Sequence, residues 1–372
     1  MRVAIVSRGC PSTEYPLYGC FEFEQARGLA SCGVDVDYFA VDTRSVRNIR
    51  DLSRQCFRKD GVNVHLVNIP LGRVPDWVTV ELGMRALKKE FSVSYGGKAT
   101  APDIVHAHFA VPGAQALGVA RAWGVPLVYT EHGSLVLKAD RRYCRLSKRV
   151  VEGSDLSLAV SQALADSISK FARANVTVVP NLVSDLFFSS PLDFPPGHFT
   201  FLSVGSLVEG KGYDVLLKAF ALADIPDARL RIIGGGPLDQ SLRDFASDLK
   251  ISDKVDFLGS LPPDRVVEEL HSSNVFVLSS RAETFGVVYA EAMAAGRPVI
   301  ATRCGGPEGF VAPETGVMVS CDDERELACA MSTICTNFGA YNALGIRQYA
   351  ENRFSSKHIS RRLIELYGDI VR

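Results

Sequence analysis

Short apolar, β-branched runs alternate along the chain with longer stretches of helical periodicity. Val3–Val6 reads as a first strand, followed by a helix from about Phe21 to Ala30 and a second strand at Val34–Phe39. Ile104–His106, Leu127–Thr130, Leu156–Ala159 and Val176–Val179 continue the pattern. Strand and helix in alternation imply crossover units around a mostly parallel sheet. The rhythm breaks between Asn181 and Thr200, where Pro191, Pro195, Pro196 and Gly197 disfavour both helix and strand. It restarts with Phe201–Val204, Arg229–Ile233, Val255–Phe257, Val275–Leu278 and Val299–Ala301, each followed by a helix candidate. Phe354 to Val371 reads as a closing amphipathic helix.

Two successive doubly wound α/β halves are therefore expected. The boundaries fall at 1–185, 186–352 and 353–372, the last segment being the terminal helix. A length of 372 residues and 47% apolar content suit two ordinary cores. No apolar stretch approaches the roughly 20 residues of a membrane helix, and the first residues read as a strand rather than a signal peptide. A cytoplasmic location is the expectation.

The formal net charge of -1 does not point to nucleic acid. Nine cysteines without a C-x-x-C pair fit reduced thiols rather than a disulfide framework or a zinc site. Basic residues gather in the first half: Arg44, Arg47, Arg50, Arg54, Arg58 and Lys59 at near-helical spacing, then Arg85, Lys88 and Lys89, then Arg141, Arg142, Arg145, Lys148 and Arg149. Basic amphipathic helices dock on anionic lipid, so association with the inner membrane face is a hypothesis.

In open α/β sheets, ligands lie beyond the carboxyl ends of the strands. The densest chemistry there is Ser279 to Gly306. A helix is expected from near Phe285-Gly286 to Gly296, with Glu283 on the loop before it and Glu291 about two turns inside. A helix start offers free N–H groups and a positive dipole end, which suits a phosphate. Gly286 lets a ligand approach the backbone, and a carboxylate on either side can accept hydrogen bonds from sugar hydroxyls. A second loop, Gly205-Ser206-Leu207-Val208-Glu209-Gly210-Lys211-Gly212, sets a lysine between glycines, a point charge for a diphosphate. Gly234-Gly235-Gly236 ends another strand in a tight turn, and it is not the dinucleotide fingerprint.

These residues resemble the paired-glutamate signature of retaining family 4 glycosyltransferases, which have the GT-B fold: two Rossmann-like domains facing across a cleft. The resemblance implies that Glu283 contacts the donor sugar, that Glu291 binds the ribose, and that Phe285, Gly286 and Val287 hold phosphate or sugar. It gives Lys211 to the diphosphate and places Ser206 where the family often carries an arginine; either Arg281 or Arg303 substitutes, or phosphate binding leans more on the helix N-terminus. Gly205, Gly234 and Leu258, the last in Val255-Asp256-Phe257-Leu258-Gly259, fall near the nucleotide. In the first half, His132 within Thr130-Glu131-His132-Gly133-Ser134 resembles the reaction-centre histidine. His106-Ala107-His108 has the family's look without joining a metal set, Asn181 matches an interdomain segment, and Gly19 would approach the donor phosphates. The segment Ser7 to Tyr18 is a candidate acceptor loop.

The implied reaction moves a sugar from a nucleoside diphosphate to a hydroxyl of a glycan or lipid-linked acceptor. The first half offers no obvious carboxylate nucleophile, so a front-face displacement is expected rather than the glycosidase path. No Asp-x-Asp motif occupies a suitable loop, so no metal or other cofactor is expected. A nucleotide-sugar epimerase of the same architecture and a non-catalytic sugar-nucleotide-binding protein are the alternatives, and a nicotinamide-dependent oxidoreductase is the weakest.

Overall fold

The computed structural model describes residues 1–371 apart from Leu17, Val46, 48–50, 190–192, 195 and 196. The chain forms two compact units, Met1–Leu182 with Ser356–Arg372, and Val183–Ser355.

The first unit runs β1 (Arg2–Ser7), α1 (Cys20–Ser31), β2 (Asp35–Asp42), β3 (Gln55–Lys59), β4 (Val62–Asn68), α2 (Asp76–Tyr95), β5 (Ile104–His108), α3 (Ala110–Trp123), β6 (Leu127–Glu131), α4 (Ser134–Leu137), α5 (Arg141–Val151), β7 (Leu156–Ala159), α6 (Gln162–Ser169) and β8 (Val176–Val178). The strands form one sheet in the order β3-β4-β2-β1-β5-β6-β7-β8. Every pairing is parallel except the β3–β4 hairpin. β5 is a fully buried run and β1 is buried from Val3 onward, as a sheet covered on both faces requires.

The second unit runs β9 (Thr200–Val204), α7 (Tyr213–Ala223), β10 (Arg229–Ile233), α8 (Asp239–Asp248), β11 (Val255–Gly259), α9 (Pro263–His271), β12 (Val275–Leu278), α10 (Val287–Ala294), β13 (Val299–Thr302), β14 (Gly316–Val319), α11 (Glu324–Thr336) and α12 (Ala343–Phe354). Its all-parallel sheet has the order β11-β10-β9-β12-β13-β14.

The last helix, α13 (Ser356–Val371), belongs to the first unit. Ile359, Leu363 and Tyr367, four residues apart, bury one face in the core that holds Val3, Ile5 and Tyr38. Gly28 on α1 makes the docking possible, because a Cβ there would lie 2.6 Å from the hydroxyls of Ser356 and Ser360.

One expectation fails here. Among the described residues, the arginines between 44 and 59 do not share a helix. Arg44 lies in a loop beside Asp42, and Gln55–Lys59 is the edge strand β3, built around the exchange of Cys56, Phe57 and Arg58 with β4. Hairpin pairing with β4 overrode the arginine spacing. Arg50 lies outside the described residues, as do Pro191, Pro195 and Pro196 of the expected linker. Arg141, Arg142, Arg145, Lys148 and Arg149 do line α5, all exposed, and Arg85 and Lys89 are exposed on α2. No helix among the described residues is long and apolar enough to cross a membrane.

Candidate functional site

In each sheet one strand lies where the order reverses, and the loops beyond it are the natural ligand site. In the second unit that strand is β9, between β10 and β12. The loop after β9 carries Gly205, Ser206 and Lys211; the loop after β12 carries Glu283. They are locked together by Gly212, in the left-handed region at φ 64. A Cβ there would meet the Ser279 carbonyl at 2.2 Å, and the Ser279 hydroxyl donates to the Gly212 carbonyl at 2.6 Å. The lock sets Lys211 Nζ 2.5 Å from Glu283 Oε1. Ser280 Oγ donates to the same oxygen at 2.7 Å.

The Glu283 backbone is pinned as firmly. Its N–H donates to the Cys304 carbonyl, and its own carbonyl accepts from Gly306 N–H at 2.9 Å. Gly306 can come this close only without a side chain, since a Cβ would lie 2.4 Å from the Phe285 backbone. Gly286, at φ 83, caps α10. The first N–H groups of α10, starting at Val287, have no acceptor within their helix and present the positive dipole end. Glu291 lies four residues past Val287, one turn into α10 rather than two, because the helix starts later than the sequence pattern suggests. Its carboxylate is half-buried and makes no hydrogen bond or ion pair among the described residues. Burial pushes its pKa up to about 7.

Gly205, Gly234 and Leu258 lie at or beside the ends of adjacent strands. Gly205 N–H donates to the Ile233 carbonyl and Gly234 N–H to the Gly259 carbonyl, both at 2.9 Å. A Cβ at Gly234 would strike the Gly205 carbonyl at 1.9 Å. Ser206 is exposed. Neither arginine named as its substitute is spare. Arg281 donates to Asp214 at 2.8 Å, to Asp322 at 2.6 Å and to the Glu209 carbonyl, which makes it the clamp of the Lys211 loop. Arg303 donates to the Met318 carbonyl and faces Glu326.

In the first unit, β1, β5 and β6 end side by side. His132 follows β6, and its Nε2 lies 2.9 Å from His108 Nδ1. His106 spans from the Thr130 hydroxyl at 2.7 Å to the Tyr367 hydroxyl at 2.6 Å. Burial drives the pKa of His106 and of His132 down to about 3 and lowers that of His108, so all three are neutral. Asn181 lies beside His132 and opposes that shift. Gly19, at φ 80, caps α1 against the Gly9 carbonyl, which a Cβ would meet at 2.2 Å.

Three further groups went unnoticed in the sequence. Glu131 is fully buried beneath His132, and it accepts from the hydroxyls of Tyr129, Tyr143 and Ser147 and the amides of His132 and Gly133. Arg8 leaves the end of β1 and lays its guanidinium 4.0 Å over the Phe109 ring, near enough to His132 to depress its pKa. Glu22, buried in the first turn of α1, faces Arg8 Nε at 3.5 Å, and burial raises its pKa. Position just after a strand end was the one available signal for Arg8.

Two family models match successive parts of the chain: Glycosyltransferase Family 4 at residues 23–185 and Glycosyl transferases group 1 at 187–351. The D-inositol 3-phosphate glycosyltransferase of Acidothermus cellulolyticus is 29% identical over 90% of this chain and 82% of its own. The N-acetyl-alpha-D-glucosaminyl L-malate synthase of Bacillus anthracis is 28% identical over 73% of this chain and 75% of its own. Among solved structures, sucrose-phosphate synthase from Thermosynechococcus elongatus superposes with a TM-score of 0.79 at 21% identity, covering 99% of this chain and 98% of that one. HepE from Anabaena, in complex with UDP and glucose, superposes at 0.74 with 19% identity, covering 99% of each.

Proposed function

The chain belongs to the family 4 glycosyltransferases and has their GT-B fold, and on that premise we propose that it moves a glycosyl group from a nucleoside diphosphate sugar to an acceptor hydroxyl with retention of configuration. The observation that carries this reading is the strand-end constellation of the second unit: Lys211 paired with Glu283, a helix start behind Gly286, and an unpartnered Glu291 one turn on. The α10 start and Lys211 bind the diphosphate. Glu283 accepts from sugar hydroxyls, and Glu291 accepts from the ribose diol once ionised. Arrival of the diphosphate relieves Glu283 of its lysine, which turns toward the leaving group.

The departing phosphate takes the acceptor's proton on the face it leaves, and the oxocarbenium-like transition state is stabilised electrostatically. His132, neutral, positions sugar or acceptor. Arg8 adds positive charge on the first unit's side, where an anionic acceptor group would use it; the relatives named for inositol phosphate and malate support testing such acceptors. The HepE complex supports UDP-sugars as the first donors to try. None of these steps calls on a metal, and we propose that transfer is metal-independent.

The test is product analysis with UDP-sugars and polyol phosphate, hydroxy acid, glycan and lipid-linked acceptors, with the anomeric configuration read by NMR. Retained transfer is the expected result. An epimer or free sugar from donor alone would favour the epimerase reading; donor binding without any turnover would favour a binding protein. The exposed basic face of α5 supports docking at an anionic membrane surface, where a lipid-linked acceptor would be met. Salt-sensitive sedimentation with anionic vesicles is expected, and its absence would remove that part of the proposal.

A further inference from the structure

Away from the strand-end groups, the first unit gathers three metal-ligand side chains from distant parts of the chain. β3 and β4 pair antiparallel with Cys56 directly opposite His65, so both side chains share one face of the sheet. α2 brings Glu90 onto the same face. Cys56 Sγ lies 3.4 Å from His65 Nδ1 and 3.8 Å from Glu90 Oε1, and those two atoms are 3.4 Å apart. Zinc bonds of about 2.0–2.3 Å in a tetrahedron put neighbouring ligand atoms roughly 3.3–3.8 Å apart. The three atoms thus already form one face of such a tetrahedron.

The surroundings hold the imidazole for this role. Its ring stacks on Phe39 with centroids 4.6 Å apart, and its far nitrogen, Nε2, faces Asp37 Oδ1 at 3.7 Å. Asp37 is itself held by the Tyr95 hydroxyl at 2.9 Å and the Asn63 amide at 3.2 Å. A carboxylate on the side of the distal nitrogen, too far for a hydrogen bond, favours through its charge the tautomer that leaves the other nitrogen free for a cation. Ser94 Oγ, 3.4 Å from Nδ1, is the neighbour a cation would displace. Arg54 donates to both Glu90 oxygens, at 2.7 and 2.8 Å, but Oε1 keeps a second lone pair. Cys56 is exposed, which leaves the fourth corner to solvent.

We propose that Cys56, His65 and Glu90 form a binding site for a zinc-class divalent cation, with its fourth position open to water. Binding deprotonates the Cys56 thiol, and the proton leaves to solvent. Thiolate with imidazole favours zinc-class ions over magnesium or calcium. The bound ion would staple the β3–β4 hairpin to α2.

The test is titration of the chelator-stripped full chain with Co2+ and then Zn2+. One equivalent of Co2+ per chain should produce a thiolate-to-cobalt charge-transfer band, which Zn2+ bleaches while raising Tm. Cys56→Ser, at an exposed position where the fold tolerates it, should abolish the band. Asp37→Asn should weaken binding by about 10–100-fold, and Cys329→Ser, at another exposed cysteine, should change nothing. A missing band, or one that persists in Cys56→Ser, overturns the proposal.

Discussion

Two strand-end glutamates, Glu131 in the first unit and Glu291 in the second, are held in opposite ways. In the first, Glu131 is saturated by three hydroxyls and two amides, although His108 Nε2 and both Glu22 oxygens nearby are buried without a hydrogen bond among the described residues. In the second, Glu291 has no partner, the start of α10 is open, and Lys211 leans on a carboxylate that a ligand can replace. A saturated cluster holds a shape; an unsaturated one waits for a ligand, because buried polar groups left alone are costly. The contrast supports the proposal that Glu131 positions its neighbours while Glu291 receives a ligand.

The strongest way to break it is at the open end. Glu283→Ala or Lys211→Ala should lower kcat by roughly 100- to 1,000-fold, the usual loss when one preorganised electrostatic group is removed, with Tm little changed. Near-normal turnover in either would sink the donor-site assignment. At the saturated end the order inverts. Glu131→Ala orphans several buried donors and should cost on the order of 3 kcal/mol or more of stability. Denaturant unfolding checks this, and an unchanged midpoint would mean Glu131 is not the anchor described. Gly306→Ala, which drives a methyl into the Phe285 backbone, should raise the donor KM with a smaller loss of kcat; steady-state kinetics that show neither would dissolve the link between that turn and Glu283.

The smallest effect is the sharpest in kind. If, as proposed, ribose hydroxyls donate to an ionised Glu291, donor KM should fall as pH rises through about 7, and Glu291→Gln should flatten the profile. The stability signs oppose each other. The folded histidines refuse protons that the unfolded chain accepts, so their contribution is complete above about 6.5 and is lost as pH falls below it. Glu291 keeps a proton between about 4.5 and 7 that the unfolded chain releases, so its contribution grows as pH falls through that window. Thermal melts of wild type and Glu291→Gln from pH 4.5 to 8 separate the two, and coincident curves would contradict the raised carboxyl.

Legibility followed the range of the interactions. The parallel strands other than β4 and β14, with α1, α10 and the two second-unit loops, were readable because each is written in neighbouring residues: apolar runs, glycine at a cap, a lysine between glycines. The β3–β4 hairpin was not. Its arginines mimic a helical period, and only pairing across β4 decides otherwise.

The sequence by itself determined two α/β halves and the family, and it singled out Glu283, Glu291 and Lys211 as the candidate site. The tertiary structure alone decided that Arg281 clamps a loop, that Glu131 anchors His132, and that Cys56, His65 and Glu90 meet within hydrogen-bond range. Local periodicity and glycine conformation act over a few residues and leave a trace in the chain. Burial, ion pairing and ligand-like triangles depend on which strands become neighbours, and no short stretch of sequence records that.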